Sequence, residues 1–374
     1  MMFSSVRYAP QAKWKAGERL AFAGLPRDLA RCTLPIFKLP PPGDYDPDLE
    51  SATTAETYLR NFGRQMGECR GRLPTCVDGE LLRDIKNEAT GKSVFAELME
   101  RARLHGATPI PVCSVDSSTD YIQDVVSYLR HSGTSSVCIR INLSHLETCD
   151  PTSLPKFADR LGARSSESVV LIDGGPLALQ DGAELAELLS IQMSRIISPN
   201  TWGLLCWSCT ALPEKIKIKA GESAVFDRLD WELYKEITKI KDEYSHLPVF
   251  SDYILEYPSY YVTKGISPVA KLMYSTEKRY FLFKGLSVKK ADGYRNIHQV
   301  AENLVKSGVF KGENFSSGDS FMKSLADRSA GPGQASKWRW SSADHHIRLV
   351  FSQLGVDTHI EGAPSTSPDQ LRLV

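Results

Sequence analysis

Along residues 1–255, short apolar runs alternate with longer segments whose apolar residues recur every three or four positions. The runs cover residues 8–14, 33–39, 73–78, 108–116, 136–142, 168–175, 201–208 and 248–253. In the sixth, Val169-Val170-Leu171-Ile172 has no polar alternation and stops at Asp173-Gly174-Gly175. A β-branched run of this kind reads as a strand buried on both faces, and the glycines end it. The intervening segments carry the helical period. Phe95, Leu98, Met99 and Ala102 share one face over 93–104, and Ile122, Val125, Val126 and Leu129 share one over 119–131. Leu185, Leu188, Leu189 and Met193 do the same over 177–197. Further helices are expected over 18–31 with a break at Pro26, over 51–67 with Ser51 as N-cap, over 153–161 and over 223–243.

Strand–helix alternation predicts a parallel sheet, because each strand must be carried back by a crossover. Eight repeats suit a closed (β/α)8, TIM-like barrel over 1–255. An open doubly wound sheet is the rival, but the first strand leads only into Lys15-Ala16-Gly17-Glu18, which is not a dinucleotide-binding turn. The pattern then changes. Residues 256–355 read as an appendage, with short antiparallel strands at 260–263, 271–274 and 279–283 and a helix over 293–307. A polar loop is expected over 311–336 and a last helix over 343–351. Residues 356–374, rich in Pro, Ser and Thr, read as a frayed tail.

Charge and composition narrow the function classes. The 374 residues include 45 Lys+Arg and 45 Asp+Glu, so no global field favours nucleic acid or an anionic membrane surface. No apolar run is long enough for a membrane span, and the N-terminus has no signal-peptide core. Several of the eight cysteines sit inside strand-like runs and read as buried thiols of a cytoplasmic protein. Cys206 and Cys209 have C-x-x-C spacing, but in a strand they point to opposite faces, which argues against zinc or redox chemistry.

In such a barrel, functional groups gather where strands end. Those ends supply Lys38, Asp78, Asp116, Arg140 with Asn142, Asp173, Ser208 and Asp252. Turn chemistry alone also places Asp at strand ends. Four together, with Arg140 inside the barrel, point to a site. A ring of carboxylates holds a hard divalent cation, or leaves one acid and one base side by side; both remain open. Glu18, Asp78, Asp173, Asp252 and His345 are the candidate catalytic residues. Lys13, Lys15, Lys38, Asp116, Arg140, Asn142, Tyr253, Arg339 and His346 are the candidate ligand-binding residues. Lys15 and Glu18 read as a pair at the mouth suited to an anion. His345 and His346 diverge by about 100° on a helix, so one is expected to face the mouth as an acid/base. Lys38 is expected to pair with Asp78.

The stretch Tyr8-Ala9-Pro10-Gln11-Ala12-Lys13-Trp14-Lys15-Ala16-Gly17-Glu18 resembles the N-terminal signature of the phage beta-protein family, named after a beta protein of a T-even phage. Leu34-Pro35-Ile36-Phe37-Lys38-Leu39-Pro40-Pro41 resembles its second strand, and Ser251-Asp252-Tyr253 its late aspartate–tyrosine. Trp338-Arg339 with Asp344-His345-His346-Ile347 resembles its C-terminal segment. The chain departs from it at Lys38, where the family often has an acid, at Ser251, where it has Gly, and at Asp344, where it has Asn. The resemblance implies a phage or prophage setting and no settled activity. Two functions follow as expectations. One is a barrel hydrolase or transferase acting on an anionic, phosphorylated or nucleotide-like ligand. The other is a non-catalytic protein of phage–host conflict that recognises a protein or a small signal.

Overall fold

The computed structural model describes residues 2–356 except 47–50, 149, 151, 178–183, 188, 190, 192–201, 240–246, 261–266 and 291. Its strands are β1 (Gln11–Lys13), β2 (Ile36–Lys38), β3 (Tyr45–Asp46), β4 (Ser51–Ala52), β5 (Pro74–Asp78), β6 (Thr108–Ser114) and β7 (Cys138–Asn142). They continue as β8 (Val169–Pro176), β9 (Leu204–Thr210), β10 (Ser223–Asp227), β11 (Val249–Ser251), β12 (Val269–Ser275) and β13 (Arg279–Ser287). The eight expected strands form one parallel sheet in the order β1-β2-β5-β6-β7-β8-β9-β11. The ends of that sheet meet: a parallel bridge joins Tyr8 to Phe250. Ala9 N–H donates to the Phe250 carbonyl at 2.9 Å and Gln11 N–H to the Asp252 carbonyl at 2.7 Å. The sheet is therefore a closed (β/α)8-type barrel rather than the open rival.

Helices α1 (Ala16–Ala23), α2 (Arg27–Arg31), α3 (Ala55–Arg70), α4 (Val94–Leu104), α5 (Thr119–Ser132), α6 (Leu143–Thr148), α7 (Ser153–Leu161) and α8 (Leu229–Lys239) follow the strands. Pro26 separates α1 from α2, as expected. The helix expected from Ser51 starts later: Ser51 lies in β4, and the Thr54 side chain accepts from Thr57 N–H as the N-cap of α3. Much of the helix expected over 177–197 lies outside the described residues. So do Cys149, most of the strand expected at 260–263, and the tail from 357. The other seven cysteines are free thiols. No described helix is long and apolar enough to cross a membrane.

The C-terminal part adds α9 (Asn296–Lys306), α10 (Ser317–Ala326) and α11 (Ala335–Gln353) to a three-stranded antiparallel sheet in the order β10-β13-β12. Three expectations are corrected here. The segment 223–243 does not open as a helix, because Ser223–Asp227 pairs with Arg279–Phe283. The polar loop expected over 311–336 contains α10, capped by the Ser316 side chain on Asp319 N–H and buried through Met322 and Leu325. The last helix begins at Ala335, so Trp338, Arg339 and Trp340 are helical. This helix is buried along nearly its whole length, because α1, α10 and β12 all pack on it. Two glycines admit it: a Cβ at Gly17 would lie 2.6 Å from the Ser336 carbonyl oxygen, and one at Gly318 would lie 2.3 Å from that of Ser341.

Candidate functional site

The inside of the barrel changes chemistry along its axis. An apolar floor includes Ala9, Ile36, Cys76, Val112, Cys138, Leu171 and Cys206, with Val249 against it. Side chains alternate along a strand, so the residue two further on also points inward. That step reaches Gln11, Lys38, Asp78, Ser114, Arg140, Asp173, Ser208 and Ser251. Every barrel strand thus places a polar residue inward, directly above the floor.

Arg140 is the centre of this ring. Its Nη1 lies 2.6 Å from Asp78 Oδ2 and its Nε 3.5 Å from Asp173 Oδ2. Its Nη2 donates to Gln11 Oε1 at 3.2 Å. Gln11 in turn donates to Ser208 Oγ at 2.8 Å and to Asp173 Oδ2 at 3.4 Å. Asp173 also accepts from the Tyr253 hydroxyl and, at 3.0 Å, from Gly175 N–H. Gly175 has φ +61°, which lets the chain turn back and cap Asp173. Asp173 therefore both faces the mouth and caps its loop. Burial works against the Arg140 charge, but Asp78 and Asp173 outweigh it and hold the guanidinium above its ordinary pKa. Burial likewise opposes the Asp78 carboxylate, and Arg140 with Lys38 holds it below the usual range. Burial, then Asp173, keeps Tyr253 protonated.

Between the two acids that were candidates for a divalent cation sits the Arg140 guanidinium, which supplies the positive charge there. Among the described residues no group of three or more His, Cys, Asp or Glu is arranged to hold a metal ion. An open cleft of about 410 Å³ leads onto the ring, lined by Ser114, Arg140, Asn142, Ser144, Asp173 and Tyr253 among others. Asn142 of this lining donates to Asp116 at 3.4 Å, and Asp116 pairs with His145 at 2.7 Å.

Lys13, Lys15, Glu18 and Arg339 form a second cluster on the β1 side. Lys15 and Glu18 do not pair with each other. Lys15 reaches Asp44 at 3.3 Å, and Glu18 is buried against Arg339 at 2.9 Å. Glu256 bridges Lys13 at 3.0 Å and Arg339 at 3.2 Å, and burial notwithstanding, those cations hold its carboxyl well below the usual range. Tyr260 donates to Asp44 at 2.6 Å and lies beneath both Lys13 and Lys15. Arg339 thus ties the last helix to the barrel rim.

Three candidates leave the mouth. Asp252 lies between inward Ser251 and inward Tyr253, so strand alternation turns it outward. It accepts from the Tyr8 hydroxyl at 2.6 Å and from His346 Nε2 at 2.7 Å. His346 Nδ1 meets Ser275 Oγ at 2.9 Å. Burial keeps this imidazole below its ordinary pKa although Asp252 pulls the other way. The ring is therefore neutral, donating through Nε2 and accepting from Ser275. His345 is enclosed too, with Nδ1 at 2.8 Å from Asp319 and Nε2 at 2.8 Å from the Ser275 carbonyl. Neither histidine is exposed, and neither serves the mouth as acid or base. A Ser275–His346–Asp252 chain resembles a hydrolytic triad only on paper, because all three groups are sealed in the core.

Beside them, fully buried Asp230 accepts from the Tyr280 hydroxyl at 2.6 Å. Burial pushes its carboxyl up to about 6. A raised carboxyl contributes stability that is complete below its unfolded value near 4 and is lost as pH rises through about 6. Across that window wild type is expected to lose roughly 1–3 kcal/mol relative to Asp230→Asn. Urea melts of both proteins from pH 4 to pH 7 check this; parallel curves would contradict it.

Sequence reasoning missed Gln11, Ser114 and Ser251. Counting by two from each apolar inward residue would have found them. Glu256, Asp44 and Tyr260 carried no such signal, since only the folded chain brings them beside β1.

A solved triosephosphate isomerase from Bartonella henselae is similar over 66% of this chain and 92% of its own, at 14% identity and a TM-score of 0.33. No curated protein matches the chain. The model of the Beta protein family matches residues 8–352, spanning the barrel, the polar ring and the last helix, and the chain belongs to that family.

Proposed function

We propose that the barrel mouth binds a small anionic ligand, phosphorylated or nucleotide-like, and transforms it by hydrolysis or group transfer. The observation that carries this reading is the inward polar ring, set on an apolar floor and reached through the cleft of about 410 Å³. A purely structural barrel interior would fill this level with branched apolar side chains. The ring is rich in unused donors. The Lys38 nitrogen makes no hydrogen bond among the described residues, and Arg140 has more N–H groups than its carboxylate partners take up. Its acceptors are already engaged: Asp78 by Arg140 and Glu80 N–H, and Asp173 by Gln11, Arg140, Tyr253 and Gly175. An incoming anion meets free donors rather than free carboxylates. The Tyr253 hydroxyl donates to Asp173 at the cleft wall, and the two form the acid/base pair of this reading.

The test is calorimetric titration with nucleotides, sugar phosphates and inorganic phosphate, followed by turnover assays with and without Mg²⁺ and Mn²⁺. The expected result is saturable binding, and turnover that falls about 10²–10⁴-fold in Asp173→Asn. Binding with wild type and Asp173→Asn equally inert would remove the catalytic half. No binding anywhere in the panel would remove the reading altogether.

A further inference from the structure

We propose that Lys38 is a nucleophilic amine, which condenses with the carbonyl carbon of an anionic aldehyde or ketone and holds it in the barrel mouth as an imine. The inference deepens the anion-binding reading and rests on it.

Lys38 ends β2 and, two residues beyond Ile36 of the apolar floor, points inward. Its strand register sets it beside Lys13 on one side and Asp78 on the other. The expected Lys38–Asp78 pair is not formed. Among the described residues the Lys38 amine has neither a hydrogen bond nor an ion pair, unlike the other mouth lysines. Lys13 has Glu256 at 3.0 Å and Lys15 has Asp44 at 3.3 Å. The reason lies in the ring itself. Asp78 gives Oδ2 to Arg140 and Oδ1 to the backbone, and Asp173 accepts from Gln11, Tyr253 and Gly175 with Arg140 as its ion-pair neighbour. An ammonium kept for stability is paired when it is taken out of water. This one is left over, half-buried, and flanked by Arg140 and Lys13.

That setting favours the free amine. Burial lowers the pKa of Lys38, and the neighbouring cations Arg140 and Lys13 add to this, against the pull of Asp78 and Asp173. Desolvation beside another cation is how amines become nucleophiles near neutral pH. In the step itself, the nitrogen lone pair forms a C–N bond while the carbonyl π pair moves to oxygen. A proton passes from nitrogen to that oxygen to give a carbinolamine. The hydroxyl then leaves as water with the proton that the Lys38 ammonium released on becoming the free amine, and an iminium remains. One ammonium and one carbonyl yield one iminium and one water, with no oxidant or reductant.

The probe is pyridoxal 5′-phosphate, which joins an aldehyde to a phosphate, with glyoxylate in parallel as a smaller anion. The full chain is treated with less than one equivalent, reduced with borohydride, digested and mapped by mass spectrometry. Lys38 is expected to carry about tenfold more label than exposed lysines such as Lys92 and Lys289. Inorganic phosphate is expected to compete, and Lys38→Arg, whose guanidinium does not condense, is expected to lose the dominant adduct. Label on Lys38 no greater than on Lys92 would overturn the inference. If calorimetry shows either probe bound while no adduct forms at Lys38, the imine fails and the anion site stands. If the probes neither bind nor label, both fail.

Discussion

Arg140→Met is expected to lower the unfolding free energy by about 3–5 kcal/mol. Methionine replaces the apolar stem of arginine but not its guanidinium, so the loss reports the charge together with its hydrogen bonds. Without the guanidinium, Asp78, with a side chain only 2% exposed, is left facing Asp173 with Lys38 as the remaining cation beside them. The pH dependence contributed by Asp78 then changes sign relative to wild type. Asp78, now raised rather than lowered, contributes stability that is present below about pH 4 and lost as pH rises through its new folded value. Acidification should therefore narrow the gap between variant and wild type. Adding Asp78→Asn to Arg140→Met should recover a large part of the loss, because it removes the stranded charge. Denaturant melts of the four proteins at pH 4 and pH 7 form the cycle. A single-mutant loss below about 1 kcal/mol would mean that the ring is solvated and that Arg140 is not its keystone.

His346→Ala is expected to cost a similar amount, about 3–5 kcal/mol, through a different mechanism. The imidazole bridges Asp252, which follows the last barrel strand, to Ser275 at the end of β12. Its removal leaves a buried carboxylate short of one donor and opens a cavity in the core. Hydrogen exchange should accelerate first in β12 and α11, with the barrel strands following only on global unfolding. Ligand binding per folded molecule is expected to be retained, because the His346 imidazole does not line the cleft. Loss of binding in a still-folded variant would instead restore a histidine to the mouth. The pH sign is also set. Burial depresses the His346 pKa, so its contribution is lost as pH falls below the unfolded histidine value near 6.5. Asp252 is also held low, where His346 and Tyr8 outweigh burial, so its contribution fades at still lower pH. Asp230 runs the other way, so the two histidine-linked losses and the aspartate gain are separable by variant.

Much of the barrel was legible because its signals are local. Runs such as Val169–Ile172 are apolar on both faces, and only a strand covered inside and out needs that. Arg140 and Asn142 could be placed because strand alternation is a two-residue rule. The same rule, applied to 251–253, turns Asp252 outward, but the late strand was read from its end rather than from its parity. The helix expected at 223–243 misled for a different reason. Ser223–Asp227 alternates in exposure, and only its partner β13, more than fifty residues away, makes it a strand. The loop expected at 311–336 hid α10 because its polar surface conceals a buried face carried by Met322 and Leu325.

By itself the sequence determined the number and order of the barrel strands, the polar residues at their ends and the change of pattern after residue 255. These follow from hydrophobic period and turn chemistry, which act over a few residues. Only the tertiary structure decided which charges meet. Arg140 took both acids, His345 and His346 went into the core, and Lys38 was left without a hydrogen-bond or ion-pair partner among the described residues. Pairing depends on which strand ends the closed barrel brings within a few ångströms, and on which competitor reaches a carboxylate first. Neither is written in the spacing of residues along the chain.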